Sequence, residues 1–336
     1  MQTIKKIVII ASLITILIIS GSWIYLEYFA TRRLIISTTT SLYDTGLLDA
    51  IKDEFEKKYP LDISIISAGT GLAIQHAESG DADVVLVHSP SLETTFLTDG
   101  VGICRKIVAY NFFAIIGPAT DPAHINGTTP VQALKQIVSY GRNQTLHPST
   151  PYVWVSRGDN SGTHSAEKTL WKKAGFNYTL VSKEAWYVSR QSGMGDTLMM
   201  ADEYLGYTLT DMGTFLAYSK QGRIDLVPLV TQGKDLLNVY SVIAVKPSTA
   251  ANKTVHSSIN FRDSIAFIKY LISNEGQRML ENYGVSEYGQ SLFYGAVQLL
   301  KQDPASQIAQ WIRDYAFING TECPTTYRYD QNDLYS

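Results

Sequence analysis

The sequence is poor in cysteine, with Cys104 and Cys323 as its only two. Two isolated cysteines supply neither the repeated spacing of a zinc site nor the dense framework of a small disulfide-stabilised fold. No cysteine near the N-terminus is available to carry a lipid anchor. If the chain is exported, Cys104 and Cys323 are the candidates for a single disulfide, although the sequence does not show that they meet.

The charge is nearly balanced, so neither sign dominates. The chain has 28 Lys and Arg against 31 Asp and Glu, a net charge of −3 and a pI near 6.1. No nucleic-acid partner is therefore expected, and any site for an anion must be local. With 45% hydrophobic and 18% charged residues among 336, the composition is that of a globular protein with room for two domains.

Motifs for cofactors and catalysis are also missing. The chain has no phosphate-binding loop and no dinucleotide fingerprint, and its histidines stand without the paired spacing of a metal site. We therefore expect no cofactor and no metal. The rival from another functional class is a serine hydrolase that uses Ser161 or Ser165 with His164. Adjacent helical positions such as 164 and 165 do not face one another, so we expect that the chain is not an enzyme.

One long apolar run lies at the N-terminus. Ile7 to Leu26 is a nearly uncharged stretch of 20 residues, long enough to cross a bilayer of about 30 Å. Lys5 and Lys6 favour a cytoplasmic N-terminus, whereas Ser20 to Ser22 would serve as a signal-peptide cleavage site. We expect residues 1–33 to be a transmembrane anchor or a signal peptide, with the anchor favoured. In either case the remainder would be extracytoplasmic.

Asn-X-Thr triplets support export. Five such acceptor sites predict N-glycosylation on surface loops. The candidate asparagines are Asn126, Asn143, Asn177, Asn252 and Asn319.

One construction recurs four times: a short run of β-formers, a turn of small polar residues, and a helix-forming run. Ser156 to His164 is the richest case, because Arg157 adds a planar fork of donors that suits two oxygens of one anion. Taken alone, this segment is equally compatible with an ordinary helix cap beside a surface Arg. In open α/β sheets, however, such turns meet beyond the carboxyl ends of the strands, where helix N-termini attract anions. The four turns are Ser37 to Ser41, Ser67 to Gly71, Ser156 to Thr163 and Gly193 to Gly195.

The order of elements predicts two α/β lobes. Repeated β-loop-α units from Leu34 onward predict a parallel sheet. A strong strand, Tyr110 to Ile116, ends at Gly117-Pro118 and leads into a proline-rich crossover, and the strand Asn238 to Lys246 is the natural return. We assign residues 34–116 and 241–318 to lobe I, 117–240 to lobe II, and 319–336 to a C-terminal tail.

Five sequence motifs occur together and in register. They are Ser37 to Asp49, Gly80 to His88, Ser156 to His164, Gly193 to Leu198 and Tyr207 to Asp211. Together they resemble the tungstate-binding component of ABC-type importers, from about Ile35 to Pro247. The resemblance implies a type II periplasmic-binding-protein fold, in which two crossover strands join two α/β lobes and an oxyanion is held in the cleft.

The resemblance also assigns the ligand contacts by position, and it implies a contribution from each turn. The residues are Thr39, Thr40 and Ser41; Gly69 and Thr70; Arg157, Ser161, Gly162 and Thr163; and Gly193, Met194 and Gly195. The chain departs from the family where an acidic residue usually follows the Trp-Tyr-aliphatic run, because Ser189 and then Arg190 stand there. Arg190 is therefore a candidate second cation beside the cleft.

Two acidic residues near these turns have open roles. Asp211 could either orient Arg157 or cap a helix. Asp159 is the only nearby candidate to accept a proton, which matters because hydrogen phosphate carries a proton into a site whereas tungstate and molybdate are fully deprotonated.

The predicted function is that of a monomeric solute-binding protein that captures a tetrahedral oxyanion and delivers it to an ABC permease. Tungstate is the first choice of ligand and molybdate the second. A phosphate-binding protein of the same fold is the alternative.

Overall fold

The structure, a computed structural model, describes Thr15 and residues 32–144, 151–231, 233–247 and 259–329. The predicted anchor, Ile7 to Leu26, lies outside these residues apart from Thr15, and so does the sequon at Asn252. Among the described residues, no helix combines the length and the apolar character needed to cross a membrane.

The described strands form one large sheet and one small one. The large sheet has the order β10-β4-β9-β3-β1-β2, with β7 and β8 also paired to β4, while β5 and β6 form a separate pair. The strands are β1 (Arg32–Thr39), β2 (Leu61–Ala68), β3 (Val84–Val87), β4 (Gly102–Gly117), β5 (Trp154–Ser156), β6 (Tyr187–Ser189), β7 (Thr208–Asp211), β8 (Val227–Val230), β9 (Leu237–Val245) and β10 (Tyr294–Gly295).

The large sheet is mixed, so the prediction of a parallel sheet holds only in part. β1 pairs in parallel with β2 and β3, as repeated β-loop-α units require. β9 runs antiparallel to both β3 and β4. The difference arises because β9 brings the chain back from the second half of the molecule and enters the sheet from the opposite end.

β4 is one continuous strand of 16 residues that passes between the two halves of the molecule. It pairs with β9 as far as Phe112, and from Phe113 onward it pairs with β7 and β8. The change of partner therefore lies before Gly117-Pro118, where the sequence placed the crossover. β4 and β9 are the two crossover strands of the fold.

Helices follow most of the strands. Among them, α2 shows how the sequence specifies an element: Leu47, Leu48, Ile51 and Phe55 share one buried face, and Gly46 precedes them in the left-handed conformation at φ 75°. The helices are α1 (Thr40–Tyr43), α2 (Leu47–Lys58), α3 (Thr70–Ser79), α4 (Pro90–Thr98), α5 (Pro130–Gln144), α6 (Gly162–Lys173), α7 (Tyr178–Val181), α8 (Met194–Glu203), α9 (Met212–Lys220), α10 (Phe261–Ile272), α11 (Asn274–Asn282), α12 (Val285–Tyr288), α13 (Ala296–Gln302) and α14 (Gln307–Ala316), with 3-10 turns at Lys234–Leu236 and Thr325–Tyr327.

Separate hydrophobic cores lie on the two sides of the crossover strands. One core includes Leu34, Phe55 and Phe267. Another includes Trp154 and Trp171, from the part of the chain between the crossovers. Two cores are what two lobes require, because each lobe must bury its own sheet. The residue boundaries of the lobes and of the tail stay predictions.

The remaining surface predictions stay open. Asn126, Asn143, Asn177 and Asn319 are exposed, although Asn143 lies in helix α5 and not in a loop. Glycosylation of these residues is still a prediction.

The cysteine pairing is likewise a prediction. Cys104 and Cys323 are both fully buried. Their neighbours are in contact, because Arg105 Nη1 donates to the Glu322 carbonyl oxygen at 2.6 Å.

Candidate functional site

The first predicted turn ends strand β1 and begins helix α1. Thr39 and Ser41 are fully buried, and Thr40 is half-buried. Thr39 caps the helix, because its Oγ1 accepts from the Leu42 N–H at 3.3 Å. Its hydroxyl also lies 3.4 Å from the Ser41 hydroxyl. The turn therefore gathers three hydroxyl groups at the carboxyl end of β1.

The second turn ends strand β2 and begins helix α3. Gly69 precedes the helix and provides no side-chain cap, so the first N–H groups of α3 are available for another acceptor. Thr70 is fully buried. The position that a Cβ would occupy on Gly69 lies 3.5 Å from the Asp159 carbonyl oxygen and 3.7 Å from Ser161 Cα. The second and third turns are therefore in contact.

The third turn holds Arg157, whose side chain is 1% exposed. Gly158 and Asn160 adopt left-handed conformations, at φ 67° and 57°, and these allow the chain to curl around the Arg side chain. Gly158 also lies against Ser189, since an added Cβ would stand 1.9 Å from the Ser189 hydroxyl oxygen. Ser189, at the departure from the family pattern, is thus a small residue that packs beneath this turn.

Arg157 joins the third turn to the first. Its Nη2 donates to the Thr40 hydroxyl oxygen at 2.9 Å and also to the Asp159 carboxylate. Asp159 in turn accepts from the Ser161 N–H at 3.1 Å. The acidic residue that the sequence offered as a proton acceptor therefore already serves as the partner of Arg157.

Ser161 and His164 shape the start of helix α6 and do not form a nucleophile and base. Ser161 Oγ accepts from the His164 N–H at 3.2 Å. His164 Nδ1 accepts from the Asn160 N–H at 2.9 Å, and its Nε2 lies 2.6 Å from the Tyr178 hydroxyl oxygen. Burial, with a contribution from the Lys168 charge, lowers the pKa of His164 to about 4. Both ring nitrogens therefore hold the turn, which leaves His164 without a free nitrogen for the role of base in the hydrolase hypothesis.

The fourth turn, Gly193 to Gly195, begins helix α8 without a side-chain cap. Met194 is fully buried in a core with Val155 and Leu198, so its side chain packs in the interior and the ligand contact that the resemblance implies is left to its backbone N–H. Gly195 is required because an added Cβ would lie 1.8 Å from the Tyr218 hydroxyl oxygen. Helix α8 contacts helix α1, so the fourth turn lies beside the first.

Arg190 is not part of this arrangement. Its side chain is exposed and lines a surface pocket of about 290 Å³ with Asp196, Glu203 and Tyr204. The backbone continues β6 toward the site, since the Arg190 N–H donates to the Ser156 carbonyl oxygen at 2.8 Å. Among the described residues, the Arg190 side chain makes no hydrogen bond or ion pair with the four turns, and its role as a second cation stays a prediction.

Asp211 caps a helix. Its carboxylate accepts from the Thr214 N–H at 2.8 Å and from the Thr214 hydroxyl at 2.7 Å. Burial raises its pKa, and the nearby charge of Arg157 acts in the opposite direction. The Thr214 hydroxyl also lies 3.2 Å from the Ser41 carbonyl oxygen, which links helix α9 to the first turn.

His88 is the site residue that sequence reasoning missed. It is 1% exposed, its Nε2 lies 3.4 Å from the Ser41 hydroxyl oxygen, and its Nδ1 lies 2.8 Å from Asn238 Oδ1. The signal was present, because His88 ends one of the five motifs, but a lone histidine is more often a surface or capping residue. Its partners come from distant parts of the chain, so no local pattern reveals them.

The turns share a set of buried donors that have no partner. Six buried side-chain polar atoms in the described part of the chain lack a hydrogen bond, and four of them belong to these turns: Thr70 Oγ1, Thr163 Oγ1, Arg157 Nε and Arg157 Nη1. Leaving a buried donor unpaired costs about 1–3 kcal/mol, and more for a charged group. These four atoms therefore indicate a place where an anionic ligand with several oxygens binds.

A metal centre is not indicated by the same residues. Within the described ranges, no group of three or more His, Cys, Asp or Glu side chains could hold a metal ion. The turns offer hydroxyls, a guanidinium and helix N-termini, which bind anions.

The fold and the sequence match known proteins over most of the chain. The PBP superfamily domain matches residues 29–275. The tungstate-binding protein TupA of Peptoclostridium acidaminophilum is 38% identical over 267 residues, covering 79% of this chain and 86% of that protein. TupA of Campylobacter jejuni subsp. jejuni is 35% identical over 243 residues, covering 71% and 83%.

A solved structure agrees with these relatives. The structure described as the tungstate ABC transporter from Geobacter sulfurreducens superposes with a TM-score of 0.64 at 40% identity. The superposition covers 75% of this chain and 98% of that one.

Proposed function

The chain belongs to the PBP superfamily and, within it, to the family of tungstate-binding proteins of ABC transporters, and from this we propose that it captures tungstate between its two lobes for an importer. The protein is a solute-binding protein and not an enzyme. Molybdate, the same kind of fully ionised tetrahedral dianion, is the second ligand.

The observation that carries the proposal is the cluster of unpaired buried donors. Arg157 is buried with two of its three guanidinium nitrogens unpaired, and the hydroxyls of Thr70 and Thr163 are buried beside it without partners. A buried guanidinium with unpaired donors lowers the stability of the fold unless a ligand accepts hydrogen bonds from them. An oxygen of a dianion can accept from Nε–H or from Nη1–H of the guanidinium, which lie on different edges of it, and the threonine hydroxyls can donate to the remaining oxygens.

The helix N-termini add to this arrangement. Gly69 and Gly193 directly precede helices α3 and α8. Because glycine has no side chain, neither residue caps the first N–H groups of the helix that follows it. Helix α6 begins next to Arg157 with Ser161 as its cap. The positive ends of three helix dipoles therefore favour a negative charge in this place. No bond needs to be made or broken for this function.

Ligand donors come from both sides of the crossover strands. The Thr40 and Thr70 turns precede β4, while the Arg157 and Gly193 turns follow it. An anion bound by the turns of both lobes favours the form in which the lobes are closed. The free energy of this effect cannot exceed the difference between its affinities for the closed and the open form.

The proposed cellular role follows from the family. A solute-binding protein of an ABC importer works outside the cytoplasm and passes its ligand to a membrane permease. We further propose that the chain acts as a monomer and is held at the membrane by Ile7 to Leu26, or is released when that segment is cleaved.

Calorimetric titration of the purified chain with tungstate, molybdate, sulfate and phosphate tests the proposal. Tungstate and molybdate should bind more tightly than the smaller sulfate. They should also bind more tightly than phosphate, because hydrogen phosphate needs an acceptor and the Asp159 carboxylate is already engaged. Phosphate binding more tightly than tungstate would refute the choice of ligand, and the absence of binding by all four anions would refute the oxyanion site.

A further inference from the structure

The imidazole of His88 occupies the junction between the crossover strands and the anion-binding turns. It follows strand β3 and stacks on Tyr240 of β9, with ring centroids 4.9 Å apart and an interplanar angle of 25°. Its Nδ1 lies 2.8 Å from Asn238 Oδ1 on the same crossover strand, and its Nε2 lies 3.4 Å from the Ser41 hydroxyl oxygen in the first turn. One side chain thus touches a crossover strand and a ligand turn at once.

The hydrogen bonds around Asn238 fix the tautomer of His88. Asn238 Nδ2 donates to Asn111 Oδ1 at 2.9 Å and to the Tyr240 hydroxyl oxygen at 2.8 Å, so the Asn238 atom that faces the imidazole is the acceptor Oδ1. Nδ1 therefore carries the proton, and Nε2 accepts from the Ser41 hydroxyl. Asn111 lies on β4, so the network ties the imidazole to both crossover strands.

His88 is neutral in this setting. Burial lowers its pKa to about 4, and the charge of Arg157 acts in the same direction. The imidazole therefore adds no second positive charge to the site, and its contribution must come from its shape and its hydrogen bonds.

Gly162, the first residue of helix α6, lies directly over the imidazole. A Cβ added to Gly162 would stand 2.7 Å from Cε1 and 2.8 Å from both Nδ1 and Nε2 of His88. Three nearly equal distances place that point above the face of the ring. Non-bonded carbon atoms normally approach to about 3.5–4.0 Å, so only glycine allows the helix to begin this close to the ring. The imidazole is enclosed between β9 and the start of helix α6.

We propose that His88 is the positioning residue against which the start of helix α6 closes when an oxyanion binds, so that its imidazole sets the distance between the Ser41 and Arg157 turns. This inference rests on the proposed function. His88 touches no ligand itself in this scheme. It acts through Gly162, whose neighbours Ser161 and Thr163 belong to the third turn, and through Ser41 of the first.

The contact predicts a specific pattern in a double-mutant cycle. Gly162→Ala forces the start of helix α6 away from the ring by about 1 Å, because the stacked and hydrogen-bonded imidazole has no room to move. A shift of that size displaces Thr163 and should weaken tungstate binding at least tenfold. His88→Ala removes the obstacle, so in that background Gly162→Ala should cost little.

The experiment measures tungstate affinity by calorimetry and the radius of gyration with and without tungstate, on the full chain. The four proteins are the wild type, Gly162→Ala, His88→Ala and the double variant. The matched control is Thr169→Ala, at an exposed position of the same helix α6 whose hydroxyl donates only to the Ser165 carbonyl oxygen. It should bind within twofold of the wild type. Circular dichroism reports on folding, and His88→Asn, which keeps a donor for Asn238 in a smaller side chain, replaces His88→Ala if the latter does not fold.

The proposal requires that Gly162→Ala lose at least tenfold in affinity together with the ligand-induced contraction. It also requires that Gly162→Ala weaken tungstate binding by less than threefold when it is made in the His88 variant. It is overturned if Gly162→Ala binds tungstate like the wild type. It is also overturned if the loss of affinity in the double variant is the product of the losses in the two single variants. A wild-type chain that binds none of the four oxyanions would overturn the proposed function along with it, whereas wild-type binding with independent effects overturns the role of His88 alone.

Discussion

Replacing Arg157 with alanine should weaken tungstate binding far more than any other single substitution in the turns. The side chain is 1% exposed, and Nε and Nη1 are the two guanidinium atoms without partners. Truncating one member of a buried, hydrogen-bonded charge pair costs about 2–5 kcal/mol, partly because the other charge is left unpaired in a dry site. At about 1.4 kcal/mol per factor of ten, the dissociation constant should rise about 30-fold to about 4,000-fold.

Calorimetry on two further variants separates the geometry of Arg157 from its charge. Arg157→Lys keeps the charge but loses the planar fork, so its loss of affinity should be intermediate. Arg190→Ala is the matched control, because Arg190 belongs to the same region of the chain but is exposed. Its affinity should stay within twofold of the wild type. If Arg157→Ala binds within threefold of the wild type, the reasoning from unpaired donors is wrong, and an equal loss in both Arg→Ala variants would mean that both cations contact the ligand.

Three further predictions follow from the same site. Thr163→Val removes a buried hydroxyl that has no partner, so it should leave stability to urea unchanged or raised. It should weaken tungstate binding about 10-fold to about 140-fold, given about 1.5–3 kcal/mol for a hydrogen bond to a charged group. Equilibrium unfolding in urea should show stability falling as the pH drops from about 6.5 toward 4, because His88 and His164 have folded pKa values lowered to about 4 and the unfolded chain therefore binds protons first. Asp44, whose pKa burial raises to about 6, acts in the opposite direction over part of this range, so the contribution of His88 is the difference between the wild type and the His88→Asn variant. An identical pH dependence of stability in the two proteins would contradict the assignment of a neutral imidazole at His88. Small-angle scattering should show a smaller radius of gyration at saturating tungstate, and an unchanged profile would mean that the cleft is preformed.

Local sequence signals were sufficient for the elements that carry the site. The helical spacing of apolar residues between Gly46 and Tyr59 predicts a helix, and the structure has one at Leu47–Lys58. The apolar run Val84 to Val87 predicts a strand, and the structure has a strand with those bounds. The helix is marked by the periodicity of its buried residues with Gly46 and Pro60 beside it, and the strand by an unbroken buried run, so both signals act over a few neighbouring positions. The turn around Arg157 was recognisable for the same reason, since a capping Ser and a left-handed Gly are local features.

Sequence reasoning failed where the outcome depends on contacts between distant residues. The switch of β4 from β9 to β7 is not marked by a turn or a proline in the strand, which has β-branched residues on both sides of Phe112. The role of His88 depends on Asn238, which lies far away in the sequence. The exposure of Arg190 depends on how β6 lies beside Ser156, and a family comparison by position does not give the direction of a side chain.

The most direct test of the central claim is a crystal structure of the chain with tungstate, in which anomalous scattering locates the tungsten atom. We expect one strong site enclosed by the four turns, with tungstate oxygens within hydrogen-bond distance of Arg157 Nε or Nη1 and of the Thr70 and Thr163 hydroxyls. Pairing of those donors would confirm that the buried unpaired atoms form the ligand site. Tungsten bound elsewhere, with Arg157 still unpaired at Nε and Nη1, would contradict the account.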